Sequence, residues 1–290
     1  MMGEPRCMLR GSKRSIQSLS RLAGLFLLVS LLLAVPTNGV TQGSYVQESS
    51  STAVDHSVFD RLLRSYVDDS GFVNYGAWKS RDEETLRNYL KSLYKVPADL
   101  LGRSEALAFW INAYNALTIQ GILEFYPIQS IRDKVNRILG FNIWDDYPMT
   151  VNGKAYSLND IEHKILRKMA EPRIHFAIVC ASVGCPKLRN QAYSGRNLDA
   201  QLEDQAIHFF AQQRNFRIDR AWKTVYLSRI LDWFGEDFGR SDRAKLDFVS
   251  KYLSEEKDRD FLRSKGLKVK YLDYDWSLNE KKDTSTEAGN

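Results

Sequence analysis

The sequence predicts an α+β fold: a single domain in which a buried central helix packs on a mainly antiparallel sheet with hairpins and several peripheral helices. Residues 104–127, SEALAFWINAYNALTIQGILEFYP, are apolar almost all round and end at a proline, which is typical of a buried helix. Asn152-Gly153 lies between two short strand-like runs and predicts a hairpin. Helical and hairpin patterns are interspersed without regular β-α-β repetition, which favours α+β.

Three elements are predicted around the start of the domain, before the central helix. Residues 58–67 have the spacing of an amphipathic helix, and GFVNY at residues 71–75 is typical of a short strand. A charged helix should cover residues 83–94, because Leu86, Tyr89, Leu90 and Leu93 recur at helical spacing.

The elements after the first hairpin begin with a helix at residues 158–169, since Ser157 and Asp160 form a capping-box pattern. RIHFAIVCA at residues 173–181 predicts a buried strand, because β-branched and aromatic residues dominate and nothing polar alternates after His175. The remaining predictions are a helix at residues 198–211, a second hairpin at 216–219 and 224–228, a helical stretch at 229–238, a helix at 242–253 and a last strand at 267–276.

The two ends of the chain lack the composition of a folded domain. Residues 1–39 hold a basic stretch and then the apolar run LAGLFLLVSLLLAV, typical of a cleaved export signal and short for a membrane span of about 20 residues. We expect an exported protein, periplasmic or secreted; the alternative is anchoring by an uncleaved N-terminal segment. A flexible polar linker at residues 40–55 and a disordered polar tail at 280–290 would flank the domain at residues 56–279.

The charge pattern and the missing motifs limit the expected partners. The formal net charge of +5 falls to +1 without residues 1–39, and no basic patch remains that would indicate nucleic acid. The sequence holds no Gly-rich phosphate loop, HExxH or calcium-loop motif, so we expect no cofactor. The expected partner is an unidentified small-molecule or peptide substrate, with membrane contact only through an uncleaved signal.

Candidate chemistry centres on HFAIVCASVGCP, residues 175–186, which holds the two cysteines that remain once the signal is removed. In a straight strand, His175 and Cys180 lie on opposite faces and about 16 Å apart. A histidine acting on a thiol here would therefore favour Cys185, which the SVGCP turn folds back. His163, on the preceding helix, is the other candidate base, and Glu162 is among the acids able to orient an imidazole.

Three alternatives to a catalytic thiol remain open for these cysteines. A disulfide between Cys180 and Cys185 would close a small loop and leave no nucleophile. A redox-active pair is possible, although C-x4-C differs from the C-x-x-C spacing that tunes such sites. Zinc bound by His163, His175 and both cysteines uses permitted ligands, but the spacing matches no standard pattern.

Polar residues on the central helix form a second candidate feature. Asn112 and Asn115 share one face, and Glu105 falls near the same stripe. Buried amides need hydrogen-bond partners, so both asparagines either tie down neighbouring loop backbone or line a cleft, where one could polarise a carbonyl.

Five blocks of the chain resemble the domain of unknown function 547 family, in the family's order between residues 106 and 279. They are LAFWINAYNALTIQGILEFYPIQSIRD, YSLNDIEHKILR, PRIHFAIVCASVGCPKLRNQAY, VYLSRILDWFGEDF and YLDYDWSLN. Gln191 departs from the acid expected in the third block. The family's characteristic polar and sulfur residues fall on Asn112, Asn115, Glu162, His163, Arg167, His175, Cys180, Ser182, Cys185, Pro186 and Asp237.

The resemblance implies no established activity, and a comparison with papain-like or transglutaminase-like thiol enzymes is analogy. Those enzymes carry the cysteine at the start of their central helix, where this chain has Ser104 and Glu105. Our leading hypothesis is a thiol-dependent acyl-transfer or amide-hydrolysing enzyme that uses Cys180 or Cys185 with His175 or His163. The alternatives are a non-catalytic binding domain of the cell envelope and a thiol redox protein.

Overall fold

Helix α3, Arg103–Phe125, is the central element of the fold, as the sequence predicts. The computed structural model describes residues 53–134 and 142–281. Every residue from Leu107 to Leu123 is buried, because the helix is packed on all sides. Its main packing partners are helices α2, Tyr75–Ser92, and α5, Leu198–Ala211, together with the helical turns of residues 160–169.

The N-terminal helices begin earlier than their apolar spacing indicates. Helix α1 covers Ser57–Tyr66, and α2 starts at Tyr75, well before the predicted residue 83. The Asn74 side chain accepts a hydrogen bond from the Ala77 amide at 3.0 Å and so caps α2. The predicted strand at residues 71–75 is wrong, because only Val73 makes strand-type pairs there, with Val67 and Glu280.

The sheets are small and mainly antiparallel, and the mixed composition confirms the α+β class. Strands β1, Met149–Val151, and β2, Lys154–Tyr156, form the predicted hairpin, with Asn152 and Gly153 at φ 46° and 73° as a tight hairpin turn requires. Strands β3, Phe216–Asp219, and β4, Thr224–Leu227, form the second hairpin. Strand β5, Lys268–Tyr271, pairs parallel with β4 and is shorter than the predicted residues 267–276.

Short helices form several of the remaining segments of the described chain. The predicted helical stretch at residues 229–238 is two helices, and the helix predicted at 242–253 ends at Ser250. A further helix at residues 256–263 has no counterpart among the predictions. The bounds are α4 Ile143–Asp146, α6 Ile230–Trp233, α7 Gly235–Phe238, α8 Asp242–Ser250 and α9 Glu256–Arg263, with 3-10 turns at Leu93–Lys95, Ala98–Leu100 and Ile131–Lys134.

The helix predicted at residues 158–169 is confirmed in position, because every residue of this range is helical. Its helix type is not regular α: Asp160–Ile165 form a π-helical turn and Leu166–Met169 a 3-10 turn. Its capping box is present, because Ser157 and Asp160 exchange two hydrogen bonds of 3.1 Å.

The buried strand predicted at residues 173–181 is wrong. Pro172–Phe176 form a 3-10 turn, and the residues after it lie in no strand. The reason is that side chains satisfy the backbone here: Asn115 bonds Ala177 and Val179, and Gln205 bonds the Phe176 carbonyl. His175 and Cys180 therefore do not lie on opposite faces of a strand.

Predictions for the chain ends fall mostly beyond the described residues. The export signal at residues 1–39, most of the linker at 40–55 and all but the start of the tail at 280–290 lie outside them. Across residues 53–134 and 142–281, no helix is long and apolar enough to cross a membrane.

Candidate functional site

A tight turn from Cys180 to Cys185 brings the two cysteines together. Ala181 adopts a φ of 57°, and the Cys185 amide donates to the Ser182 carbonyl at 3.0 Å, which folds the chain back on itself. Two backbone bonds to residues 275–277 hold the turn: the Val183 and Gly184 amides donate to the Ser277 and Asp275 carbonyls at 2.9 and 2.8 Å.

Gly184 permits this close approach of two backbones. A Cβ at that position would lie 2.9 Å from both the amide nitrogen and the carbonyl oxygen of Asp275. Any other residue would therefore push the turn away from the C-terminal segment, and the cysteines would move with it.

The two sulfur atoms are in direct contact. The Cys180 and Cys185 Sγ atoms are 2.7 Å apart, and both residues are free thiols. The Cys185 sulfur also accepts hydrogen bonds from the Cys180 amide at 3.0 Å and from the Tyr274 hydroxyl at 3.0 Å, with the Ser182 hydroxyl at 3.5 Å. Several donors thus converge on one sulfur.

These contacts shift the pKa values of the two thiols in opposite directions. Burial opposes ionisation of Cys185, but hydrogen bonds from Cys180, Ser182 and Tyr274 stabilise its thiolate and lower its pKa below the usual value. The hydrogen bond to Cys185, followed by burial, raises the pKa of Cys180 well above its usual value. The pair therefore carries its negative charge on Cys185 and its proton on Cys180.

Tyr274 is held in place by aromatic neighbours. The ring centroids of Trp233 and Trp276 lie 4.9 and 4.6 Å from the Tyr274 ring. Burial, and then the charge of the two cysteines, raises the pKa of Tyr274 well above its usual value, so its hydroxyl keeps the proton that it donates. Sequence analysis missed this residue; the aromatic run YLDYDW was its only signal, and it was interpreted as a strand.

A small cleft opens beside the pair. Its lining includes Phe72, Ser182, Cys185, Pro186, Lys187 and Arg214. Cys185 itself is 4% exposed, whereas Cys180 is partly exposed. Cys185 and two cationic residues thus line the same cleft.

The candidate histidines belong to a separate network. His175 Nε2 lies 2.8 Å from Asp237 Oδ2, and Arg167 bonds the same carboxylate through two nitrogens at 2.6 and 2.9 Å. Arg167 also lies 3.0 Å from His163 Nδ1, which must accept because a guanidinium only donates. The Phe234 ring centroid lies 4.0 Å from that of His175. Neither imidazole hydrogen-bonds to a sulfur in the described part of the chain.

The network keeps both imidazoles neutral and Asp237 ionised. Burial lowers the pKa of His175 despite the opposing effect of Asp237, and burial with the nearby Arg167 charge lowers that of His163. Burial favours the neutral acid at Asp237, but hydrogen bonds from His175 and Arg167 hold its pKa well below the usual range. The arrangement ties helix α7 to residues 163–175 and engages both imidazoles away from the thiols.

Glu162 interacts electrostatically with both groups of residues. Its side chain is buried, and Tyr114 donates to it at 3.3 Å. Burial raises the pKa of Glu162 to about 7; Tyr114 and Arg167 oppose this rise, and the charges of Cys185 and Asp237 add to it. A carboxyl that titrates near neutral pH therefore lies in the same buried region as the thiols.

Asn112 and Asn115 bond to loop backbone. Asn112 donates to the Tyr193 carbonyl at 2.8 Å and accepts from the Tyr193 amide at 2.9 Å. Asn115 donates to the Ala177 carbonyl at 2.9 Å and accepts from the Val179 amide at 3.0 Å. Asn115 thus fixes the chain that leads to Cys180. Glu105 accepts from the Val54 and Gly195 amides.

The four residues of the predicted zinc site belong to two separate hydrogen-bond networks. His163 and His175 bond to Arg167 and Asp237, while the cysteines bond to each other and to Tyr274. No group of three or more His, Cys, Asp or Glu side chains in the described ranges could hold a metal ion.

Comparison with known proteins gives one match. The family model described as Protein of unknown function, DUF547 matches residues 98–210, which include Glu162, both histidines and both cysteines. Asp237 and Tyr274 lie beyond the matched region. No curated protein and no solved structure matches the chain significantly. The match confirms the resemblance to this family and covers the first three of the five sequence blocks, so residues 98–210 of this chain are similar to the family Protein of unknown function, DUF547.

Proposed function

We propose that this domain is a thiol redox protein in which Cys180 and Cys185 exchange with a substrate disulfide. The observation that carries the proposal is the 2.7 Å contact between the two sulfurs, with hydrogen-bond donors concentrated on Cys185. A stabilised thiolate beside a second thiol is the arrangement that thiol–disulfide exchange requires. The expected export would also place the pair where disulfides persist.

The exchange proceeds in two balanced steps. The Cys185 thiolate attacks one sulfur of the substrate, the substrate S–S bond breaks, and the departing thiolate takes a proton to become a thiol. Cys180 then loses its proton and attacks the Cys185 sulfur in the mixed disulfide. The Cys180–Cys185 bond forms, the second substrate thiol leaves, and the substrate disulfide has been reduced while the protein dithiol has been oxidised.

Redox exchange fits the contacts better than acyl transfer by a cysteine–histidine pair does. Acyl transfer needs a base within hydrogen-bond reach of the nucleophile. His175 is bonded to Asp237 and His163 to Arg167, whereas the nearest reactive neighbour of each sulfur is the other sulfur. The second thiol is what exchange needs and acyl transfer does not.

The test is thiol titration by mass spectrometry in a Cys7→Ser background. The protein is equilibrated in glutathione buffers of graded potential, quenched with acid and alkylated. We expect a reversible two-proton mass difference that maps to Cys180 and Cys185. The Cys180→Ser variant should retain a mixed disulfide with glutathione at Cys185, because the resolving thiol is gone. Cys185→Ser should react more slowly at pH 7, since burial still opposes ionisation of the remaining Cys180 thiol and the donors that stabilise the Cys185 thiolate no longer act on a sulfur at position 185.

The opposite results would overturn the proposal. A pair that stays reduced, or stays oxidised, at every potential is structural, and it would favour the non-catalytic binding domain. Faster reaction of Cys185→Ser than of Cys180→Ser would reverse the assigned roles. Thermal unfolding of each variant establishes that the comparison is between folded proteins.

A second candidate is thiol-dependent acyl transfer or amide hydrolysis with Glu162 as the base. The observation in its favour is that the pKa of Glu162 is raised to about 7 and that the negative charge of Cys185 contributes to this rise. p-Nitrophenyl acetate is the probe. An acetyl adduct on Cys185 that turns over in the wild type and accumulates in Glu162→Gln would support this candidate, whereas absence of turnover would remove it.

A further inference from the structure

We propose that the cleft beside Cys185 binds an anionic group, so that the preferred disulfide is a small molecule with a carboxylate near its sulfur. This inference rests on the proposed function and names its substrate class. Lys187 and Arg214 line the cleft together with Cys185 and Ser182. A cleft lined by cations raises the local concentration of anions and speeds their encounter with the site.

Neither cation is neutralised by a close carboxylate among the described residues. The Lys187 Nζ donates to the backbone carbonyl of Asp69 at 3.2 Å, which leaves its charge uncompensated. Arg214 is exposed and forms no ion pair within 4 Å in the described ranges, although its charge contributes to the lowered pKa of Asp275. Both side chains keep donors available for a ligand.

The acids near the cleft are engaged elsewhere. Asp68 accepts hydrogen bonds from the Ser70 and Phe72 amides, both at 3.0 Å. Asp69 accepts from Asn190 at 2.9 Å, and Asp275 accepts from the amide and the hydroxyl of Ser277. None of these three carboxylates lines the cleft, whereas Lys187 and Arg214 do.

The cleft is small and half open to solvent, so only one end of a ligand would lie against it. A carboxylate placed between Lys187 and Arg214 would bring a sulfur a few bonds away towards Cys185 and would leave the other half of the disulfide in solvent. Bidentate geometry at Arg214 would orient that carboxylate. The carboxylate therefore acts as the anchor, and the disulfide beside it is the reacting group.

The experiment compares two simple disulfides of opposite charge, 3,3′-dithiodipropionate and cystamine. The reduced protein is mixed with each at pH 7.5 and low salt, and protein oxidation is followed by quenched mass spectrometry. Rates are divided by those of free dithiothreitol with the same disulfides, which removes their intrinsic difference. We expect a normalised preference of ~10-fold for the dicarboxylate, which falls several-fold in 0.5 M salt because screening weakens charge attraction.

The variants Arg214→Gln and Arg217→Gln give a matched pair. Arg217 is an exposed cation on β3, packed over the Tyr226 ring and outside the cleft lining. Arg214→Gln should reduce the preference at least ~3-fold, and Arg217→Gln should leave it unchanged. Equal normalised rates for the two disulfides, or equal effects of the two variants, would overturn the inference. Failure of both disulfides to oxidise the pair would instead overturn the proposed redox function.

Discussion

At the scale of single residues, the two cysteines differ although they share one turn. Cys185 receives the Cys180 amide and the Tyr274 hydroxyl, and its pKa falls; Cys180 donates to the other sulfur, and its pKa rises. No histidine takes part in these contacts. Hydrogen-bond donors can therefore shift the pKa values of two thiols within six residues in opposite directions without a histidine.

The raised pKa of Glu162 makes a prediction about stability. Its pKa, about 7, exceeds the ordinary value of 4.5, so the folded protein holds this proton more tightly than the unfolded chain does. The resulting contribution is fully present below pH 4.5 and is lost as the pH rises through 7; its size is ~3 kcal/mol. Relative to the wild type, Glu162→Gln should therefore gain about 2–3 kcal/mol in unfolding free energy between pH 5 and pH 8.

Urea unfolding at several pH values measures this gain, and Glu124→Gln is the matched control. Glu124 lies on α3 and accepts from Tyr147 at 2.6 Å, but it is exposed. The control should show little change between pH 5 and pH 8. If the difference in unfolding free energy between Glu162→Gln and the wild type is the same at pH 5 and at pH 8, Glu162 ionises in the folded protein as easily as in the unfolded chain.

Sequence reasoning could predict part of this site, because part of it is local. The SVGCP turn returns Cys185 to Cys180 through nearby backbone bonds, and the sequence indicated that return. Tyr274 could not be found in the same way, since its contact with Cys185 joins residues 89 positions apart. The separate pairing of His175 with Asp237 likewise spans 62 positions.

At the scale of elements, the segment from Pro172 to Cys180 is a buried apolar run that does not form a strand. Its residue types favour β structure. Asn115 supplies a donor and an acceptor to the backbone of Ala177 and Val179, so no neighbouring strand is needed. The sequence revealed the asparagine and the apolar run separately, and only the fold pairs them across 62 and 64 positions.

At the N-terminus of helix α1, His56 makes a buried contact whose contribution to stability should depend on pH. His56 is buried, its Nδ1 lies 2.7 Å from the Tyr89 hydroxyl, and burial lowers its pKa to about 4 despite Asp55. The folded protein therefore resists protonation of His56. The stabilising contribution is present above about pH 6.5 and is lost as the pH falls towards 4, up to ~3 kcal/mol.

His56→Gln should reduce the loss of stability between pH 7 and pH 4.5 by about 2 kcal/mol, because glutamine can keep the Tyr89 bond without accepting a proton. Urea midpoints at the two pH values give the measurement. The control is His208→Gln, at a less buried histidine. It should reduce the loss of stability between pH 7 and pH 4.5 by a smaller amount, because weaker burial lowers the pKa of His208 less. Glu162 titrates in an overlapping pH range, and its contribution to the unfolding free energy changes in the opposite direction. The pH dependence of the wild type therefore combines both contributions, and only the variants separate them. If His56→Gln and the wild type lose stability equally, His56 is not protonated on unfolding in this range.

At the scale of the whole molecule, residues 275–281 connect parts of the chain that are distant in sequence. Their backbone bonds reach Val73, Gln129, Ala181 and the cysteine turn. This segment lies beyond the family match, which ends at residue 210. The thiol site therefore depends on chain outside the matched region.

The sequence predicted the α+β class, the central helix and both hairpins, because these depend on periodicity and turn residues. It did not predict the route of residues 272–281. After β5 ends at Tyr271, the chain makes isolated backbone bonds rather than a continuous ladder, and no local pattern encodes such bonds.

Asn279 is the point at which the C-terminal segment is fixed to the start of α2. Its side chain accepts from the Tyr75 hydroxyl at 2.7 Å and donates to the Gly71 carbonyl at 3.2 Å, and both contacts are buried. Asn279→Ala should lower the unfolding free energy by about 2–4 kcal/mol, because two buried polar groups lose their partner. Asn190→Ala, which removes an exposed bond to Asp69, should cost less than about 1 kcal/mol.

The same substitution tests whether the segment also supports the thiols. The backbone N–H of Asn279 donates to the Ala181 carbonyl at 3.1 Å, directly beside Cys180. Asn279→Ala keeps this backbone bond, but a loosened C-terminal segment should weaken it and open the turn. Under native conditions, we expect alkylation of the reduced pair to be faster in Asn279→Ala than in the wild type and unchanged in Asn190→Ala. Faster alkylation without lost stability would indicate local opening. Lost stability with wild-type alkylation would show that the turn holds its shape without the C-terminal segment, which contradicts the support proposed here.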